Sequence, residues 1–219
     1  MEYIHNTEQF QFHNTVVALG KFDGMHKGHQ LIFDELIQYK QLGYQAAVFS
    51  FDRPPLNMLK HKHMRVIYTT NEKIKLLARR GIDIYIEHPF TDEFSHLSPE
   101  DFVIKVLLEK TGMKVLVVGD DCGFGYKRQG NVELLERMSK EYDFKLIVIP
   151  KLELEGEIVS STRIRHLLSE GKVEEANRLM EDPFMICGSV VHGNHMGAEV
   201  LQMPTANQIP LEDKLLPPN

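Results

Sequence analysis

The residue types best placed for chemistry are two histidines, His26 and His29, within Gly24-Met25-His26-Lys27-Gly28-His29. An apolar run, Thr15–Leu19, and a turn, Gly20-Lys21-Phe22-Asp23-Gly24, precede them, and a helical pattern runs from Gln30 to about Gln41. The order reads strand, glycine turn, helix. Three positions apart, the imidazoles share one face of the first helical turn. Gly28 carries no side chain, so a ligand can come close to the backbone there. The free N–H groups of a helix start favour an anion, and two imidazoles can add hydrogen bonds to phosphate oxygens. An isolated pair of this kind is commonly surface decoration; the strand and glycine turn are what point to a ligand. Zinc is the rival and needs further ligands. Cys122 and Cys187 stand far apart and form no CxxC pair, so zinc would require long-range assembly.

A second cluster is Val159-Ser160-Ser161-Thr162-Arg163-Ile164-Arg165, which opens a helical pattern after the last strand-like run. Hydroxyls cap a helix start and guanidinium groups grip phosphate, so this stretch suits a polyphosphate. Read alone it is a capped helix with solvated arginines. Both helices begin after parallel strands, however, and so can face one cleft. A third stretch, Gly119–Asn131, combines glycine turns with acids and aromatics that can meet a ribose or a base; a plain surface loop is the simpler reading. Phe51-Asp52-Arg53-Pro54-Pro55 is a stiff loop after a strand. The aromatics of Phe90–Phe94 read as loop packing, and Lys60–Arg65 as a solvated charge run.

These segments need a frame that holds them. Strand-like runs lie at Val16–Leu19, Ala46–Phe51, Ile82–Glu87, Val115–Val118 and Lys145–Ile149. Helical patterns alternate with them at Gln30–Gln41, Glu72–Arg80, Pro99–Thr111, Val132–Tyr142 and Ser161–Ser169, with Ser98 as N-cap before Pro99. The expected fold is α/β: a Rossmann-like parallel sheet with helices on both faces, followed by a short β fragment. Ligands in such sheets bind beyond the carboxyl ends of the strands, near the switch point. The pattern changes after Asp182, which suggests domains of 1–182 and 183–219. The second is too short for an independent core. Its strand-like stretch has an open edge that invites self-association.

With 219 residues, 42% hydrophobic content and a net charge of −6, the chain offers no broad basic surface, so nucleic acid is not an expected partner. No apolar run has membrane-spanning length. Two cysteines and no signal-peptide pattern suggest a cytoplasmic setting.

Gly20–His29 is similar to the GxFDGxHxGH signature of the bacterial bifunctional riboflavin kinase/FAD synthetases. Val159–Arg165 resembles their SSTxIR signature, and Gly119–Asn131 their glycine-aromatic loop. Phe184–Asn207, ending in Pro204-Thr205-Ala206-Asn207, resembles the start of their kinase module. The resemblance implies an FMN adenylyltransferase that joins FMN and ATP into FAD and pyrophosphate, with Mg²⁺ bridging ATP oxygens. It implies that His26, His29 and Arg165 are catalytic, and that Gly20, Phe22, Asp23, Gly24, Gly28, Ser161, Thr162 and Arg163 bind ATP. Arg53, Asp121, Phe124 and Gly125 fall on the flavin or ribose side. The family usually has Pro-His-Pro where Arg53-Pro54-Pro55 stands, and an aromatic at Cys122. Ala198–Met203 departs from the family's Gly-Arg…Gly-Phe pattern, and most of the kinase barrel is not in these 219 residues, so no riboflavin kinase activity is expected of them. Two other readings are open: a nucleotidylyltransferase with another phosphate-bearing acceptor, such as a phosphopantetheine or sugar phosphate, and a non-catalytic flavin or nucleotide sensor.

Overall fold

Alternate residues of each central strand enter different cores, and this sets the layering. The computed structural model describes residues 1–52, 65–191 and 207–218. In β2 (Thr15–Leu19), Val16 and Ala18 join one buried cluster while Val17 and Leu19 join the other. The same division holds for β3 (Gln45–Phe51) and β5 (Met113–Gly119). Strands covered on both faces are the signature of a parallel sheet. With β1 (Glu2–His5), β4 (Ile84–His88) and β6 (Lys145–Ile149) they form six parallel strands in the order β1-β4-β3-β2-β5-β6.

One face is covered by α1 (Lys27–Gln41), α2 (Thr70–Arg80), α6 (Ser161–Ser169) and α7 (Val173–Leu179). The other carries α4 (Pro99–Asp101, continuing as a π-helix over Phe102–Leu108) and α5 (Val132–Glu141). Between β4 and α4 lies α3 (Asp92–Ser95), and a small antiparallel hairpin, β7 (Glu153–Leu154) with β8 (Glu157–Ile158), leads into α6. After α7, β9 (Gly188–Val191) pairs antiparallel with β10 (Asn207–Pro210). Leu215 belongs to the first core cluster and the partly buried Phe184 and Met185 pack against it, so the C-terminal segment packs on the sheet domain.

The order of strands reverses at β2 and β5, which are neighbours. The histidine turn follows β2 and the glycine loop follows β5, so both rise from the switch point.

The expected strands and helices are present with shifted ends, and β1, both strands of the β7–β8 hairpin, α3, α7 and β10 were not expected. The Pro99–Thr111 pattern begins as anticipated, with Ser98 Oγ accepting from the Asp101 N–H at 3.0 Å, but continues as a π-helix rather than an α-helix. The strand expected over Phe184–His192 starts only at Gly188. Arg53, most of Lys60–Arg65, Ala198–Met203 and Pro204–Ala206 lie outside the described residues.

A reciprocal cap starts α2. Thr69 Oγ1 accepts from the Glu72 N–H at 3.4 Å, and Glu72 Oε2 accepts from the Thr69 N–H at 2.8 Å. Thr69→Ala should therefore lower stability by about 1 kcal/mol, or roughly 2–4 °C in Tm for a chain of this size. Thermal melts check this, and an unchanged midpoint would contradict the cap's role.

Candidate active site

The turn between β2 and α1 is built from backbone that L-residues rarely adopt. Phe22 has φ 48°, Gly24 82° and Met25 37°. Left-handed conformations at bulky residues cost of order 1–3 kcal/mol each and persist only where the surroundings enforce them. Here Phe22 and Met25 are 3% and 4% exposed, so core packing holds the turn. Gly24 meets a second restriction: a Cβ there would lie 3.0 Å from Ile67 Cδ1. Gly20 permits the Phe22 ring to fold back beneath it, since a Cβ would sit 2.9 Å from Cζ.

The turn delivers the histidines to the start of α1. His26 is the N-cap, and its Nδ1 accepts from the His29 N–H at 3.3 Å. That assignment leaves the proton on Nε2, where it can be donated. The two rings stack with centroids 3.6 Å apart, and Phe22 meets His29 edge-on at 5.2 Å. The Nδ1 of His29 is buried and has no hydrogen-bond partner among the described residues. Gly28 lies against the His26 ring; a Cβ would come within 3.2 Å of Nδ1.

The start of α6 meets this turn directly. Ser161 Oγ donates to the Asp23 carbonyl at 2.5 Å across 138 positions, and Arg165 Nη2 donates to Asp23 Oδ2 at 2.6 Å. The Asp23 carboxylate also accepts from the Ile67 and Tyr68 N–H groups, each at 3.0 Å. Asp23 is thus an organiser that faces protein partners. Ser160 caps α6 through the Arg163 N–H at 3.2 Å. Arg163 Nη2 pairs with Glu157 of β8 at 2.6 Å, while its Nη1 is buried without a partner among the described residues. Thr162 lies in the first turn of α6.

The glycine loop supplies the far side. Asp121 is exposed, pairs with Lys151 at 3.3 Å, and its field reaches His26. Phe124 is buried in the second core cluster, with Gly130 beneath its ring, and so packs the loop down. Gly125, at φ 69°, passes so close to Pro99 that a Cβ would lie 2.6 Å from its Cα. Beside it, Phe51, Phe90 and Phe94 form a half-buried aromatic surface at the ends of β3 and β4, their centroids 5.4–5.9 Å apart. Two cations were not anticipated. Burial lowers the Lys21 pKa, and so do the fields of Arg128 and Arg165, which places three positive side chains around one region. Lys21 stands inside the histidine motif and Arg128 inside the glycine loop, so proximity to a motif was the available signal.

Burial holds both histidines neutral. His26 is pushed down to about 4, with Asp121 opposing the shift. His29 falls well below its usual range through burial first and the adjacent imidazole second. The unfolded chain, with values near 6.5, therefore binds more protons between about pH 6.5 and 4. The stability conferred by these neutral rings is complete above 6.5 and lost as pH falls towards 4. The urea midpoint should drop across that window, and the His26→Gln/His29→Gln double variant should show a shallower drop. Equal slopes for the two proteins would contradict the shifted values.

A parallel sheet whose switch point carries a histidine-bearing strand-to-helix turn defines a nucleotide-binding α/β protein of the nucleotidylyltransferase type. The chain belongs to the FAD synthetase family: the family model described as FAD synthetase matches residues 8–163, and a riboflavin kinase model matches residues 180–219. It is 39% identical to the bifunctional riboflavin kinase/FMN adenylyltransferase of Buchnera aphidicola subsp. Schizaphis graminum, over 93% of this chain and 66% of that one. It is 32% identical to a FAD synthetase of Listeria monocytogenes, over 86% of this chain and 77% of that one. A crystal structure described as a macrolide-efflux protein from Streptococcus pneumoniae matches with a TM-score of 0.84 and 30% identity, covering 98% of this chain and 70% of that one. The chain thus spans about two thirds of the length of its bifunctional relative. No helix among the described residues is long and apolar enough to cross a membrane.

Proposed function

We propose that residues 1–182 transfer AMP from ATP to FMN, giving FAD and pyrophosphate. The observation that carries this reading is the direct contact of the histidine turn with the start of α6, through Ser161–Asp23 and Arg165–Asp23. Two helix starts, two imidazoles and three nearby cations then border one region that suits a triphosphate. The half-buried Phe51, Phe90 and Phe94, their rings inclined 57–78° to one another, offer an apolar wall for an isoalloxazine ring, and Asp121 borders the ribose side.

The reaction needs no protein nucleophile. A phosphate monoester has a second pKa of about 6, so FMN is largely a dianion at neutral pH. One of its phosphate oxygens forms a bond to the α-phosphorus of ATP, the bond from that phosphorus to the bridging oxygen breaks, and pyrophosphate leaves with the electron pair. Catalysis is then alignment and charge neutralisation. Neutral His26 and His29 donate N–H groups to phosphate oxygens, Arg165 is aimed by Asp23, and Thr162 and the α6 amides hold the chain of phosphates, while the Ser161 hydroxyl, engaged by the Asp23 carbonyl, fixes where that helix starts. Gly20, Gly24 and Gly28 give the backbone its close approach. Arg163, set by Glu157, has a buried Nη1 with no partner among the described residues, which an acceptor could take.

Magnesium fits this site as part of the substrate. Among the described residues no three His, Cys, Asp or Glu side chains gather as a metal cage. Asp23 is engaged by Arg165 and two amides, and Asp121 is the exposed carboxylate beside His26. Mg²⁺ would therefore enter with ATP, held chiefly by phosphate oxygens and water, and it would neutralise phosphate charge.

His29→Ala and Arg165→Ala should each lower kcat/KM for FAD formation at least tenfold, since losing one such donor typically costs about 3 kcal/mol of barrier. Pyrophosphate release with FMN should exceed that with phosphopantetheine or a sugar phosphate by a similar factor. Full activity in both variants would refute the site, and a preferred acceptor other than FMN would refute the substrate. Tight FMN binding with no turnover would favour the sensor reading.

A further inference from the structure

Lys214 belongs to the segment that matches riboflavin kinase, yet it is tied to the nucleotide site. Its side chain is fully buried, and all three ammonium donors are used: on Ile67 O at 2.6 Å, Glu72 Oε2 at 2.7 Å and Met185 O at 2.7 Å. The rings of Phe184 and Tyr68 cover it, with centroids 4.4 and 5.1 Å from Nζ. Glu72 is equally buried, and its Oε1 accepts from the Cys187 N–H at 2.7 Å.

Residues 65–68 lie between Lys214 and the site. On one side, the Val66 N–H donates to Asp213 O and Val66 O accepts from the Leu215 N–H, both at 2.8 Å. On the other, the Ile67 and Tyr68 N–H groups reach Asp23, and Arg65 O accepts from Arg165 Nε at 3.4 Å. The carbonyl of Ile67 and the N–H of Tyr68 are the two ends of one peptide unit, which is planar and stiff. Lys214 holds its oxygen and Asp23 holds its N–H. Any tilt imposed at one end is felt at the other, and Asp23 in turn aims Arg165.

Building on the nucleotidyl-transfer reading, we propose that Lys214 is a positioning residue for the ATP site: through the Ile67–Tyr68 peptide it fixes Asp23, and through Asp23 the Arg165 guanidinium. The kinase-like segment thereby contributes to the adenylyl-transfer domain without touching the nucleotide. Glu72 is the counter-charge that allows an ammonium to be placed there, since a buried cation without a partner is strongly destabilising.

The test uses the whole chain, with ATP and FMN kinetics measured separately. Lys214→Met should raise the KM for ATP at least fivefold and leave the KM for FMN within twofold. Glu72→Gln/Lys214→Met removes the buried charge left without its counter-ion, so its melting temperature should exceed that of Lys214→Met while the ATP KM stays high. Glu72→Gln/Lys214→Gln restores a donor to Ile67 O and should recover most of the ATP affinity. In the unmodified protein, a non-hydrolysable ATP analogue should slow hydrogen exchange at the Tyr68 amide, a readout that does not depend on any variant folding. Variants with unchanged ATP KM, an equal rise for ATP and FMN, or Tyr68 exchange indifferent to the bound analogue would overturn the proposal. Failure of the unmodified chain to bind the analogue at all would instead overturn the nucleotidyl-transfer reading.

Discussion

The Asp23 carboxylate holds the molecule's functional end together. It accepts two backbone N–H groups from the segment before α2 and one guanidinium from α6, while its own carbonyl takes the Ser161 hydroxyl. Three stretches that share no local sequence thereby converge on one residue. Charge-assisted hydrogen bonds of this kind are stronger than neutral ones, and the pair is partly shielded, with side chains 24% and 18% exposed. Without that carboxylate, the α6 start would have no charged anchor on the histidine turn.

Strain and packing are balanced around the same node. Residues 22, 24 and 25 have positive φ, and two of them are large side chains locked into the core. A turn fixed in this way leaves the α1 amides and two imidazoles little freedom to lose, which for the proposed phosphate site would be preorganisation. Burial keeps those imidazoles neutral, so in the proposed reaction they would serve as donors and not as cations. Positive charge comes instead from Lys21 and Arg128, and from Arg165, whose charge Asp23 partly offsets.

Much of this was legible before any coordinates. Val16–Leu19 and Leu146–Ile149 are unbroken apolar runs, and the hydroxyl cluster before Ile164 marks the α6 start, because apolar runs and capping are local properties of sequence. What escaped was non-local or too short. Glu2–His5 is only four residues long, without a clear alternation, and gains its place by pairing with β4. The hairpin strands are two residues each. Asp23 read as a pocket residue, but its acceptors are satisfied by amides 44 and 45 positions away. Lys214, between Asp213 and Leu215, has the look of a surface lysine; only the fold shows it buried against Glu72. Phe124 was expected to face a ligand and instead packs the loop, because Gly130 opens room beneath its ring.

The account stands on one spatial claim, that a single triphosphate lies between the histidine turn and the start of α6. A crystal structure of the chain with a non-hydrolysable ATP analogue tests it directly. The account predicts phosphate oxygens in hydrogen-bond contact with both His29 and the Ser161–Arg165 turn. A nucleotide that touches only one of these elements, or that binds elsewhere on the sheet, would contradict it.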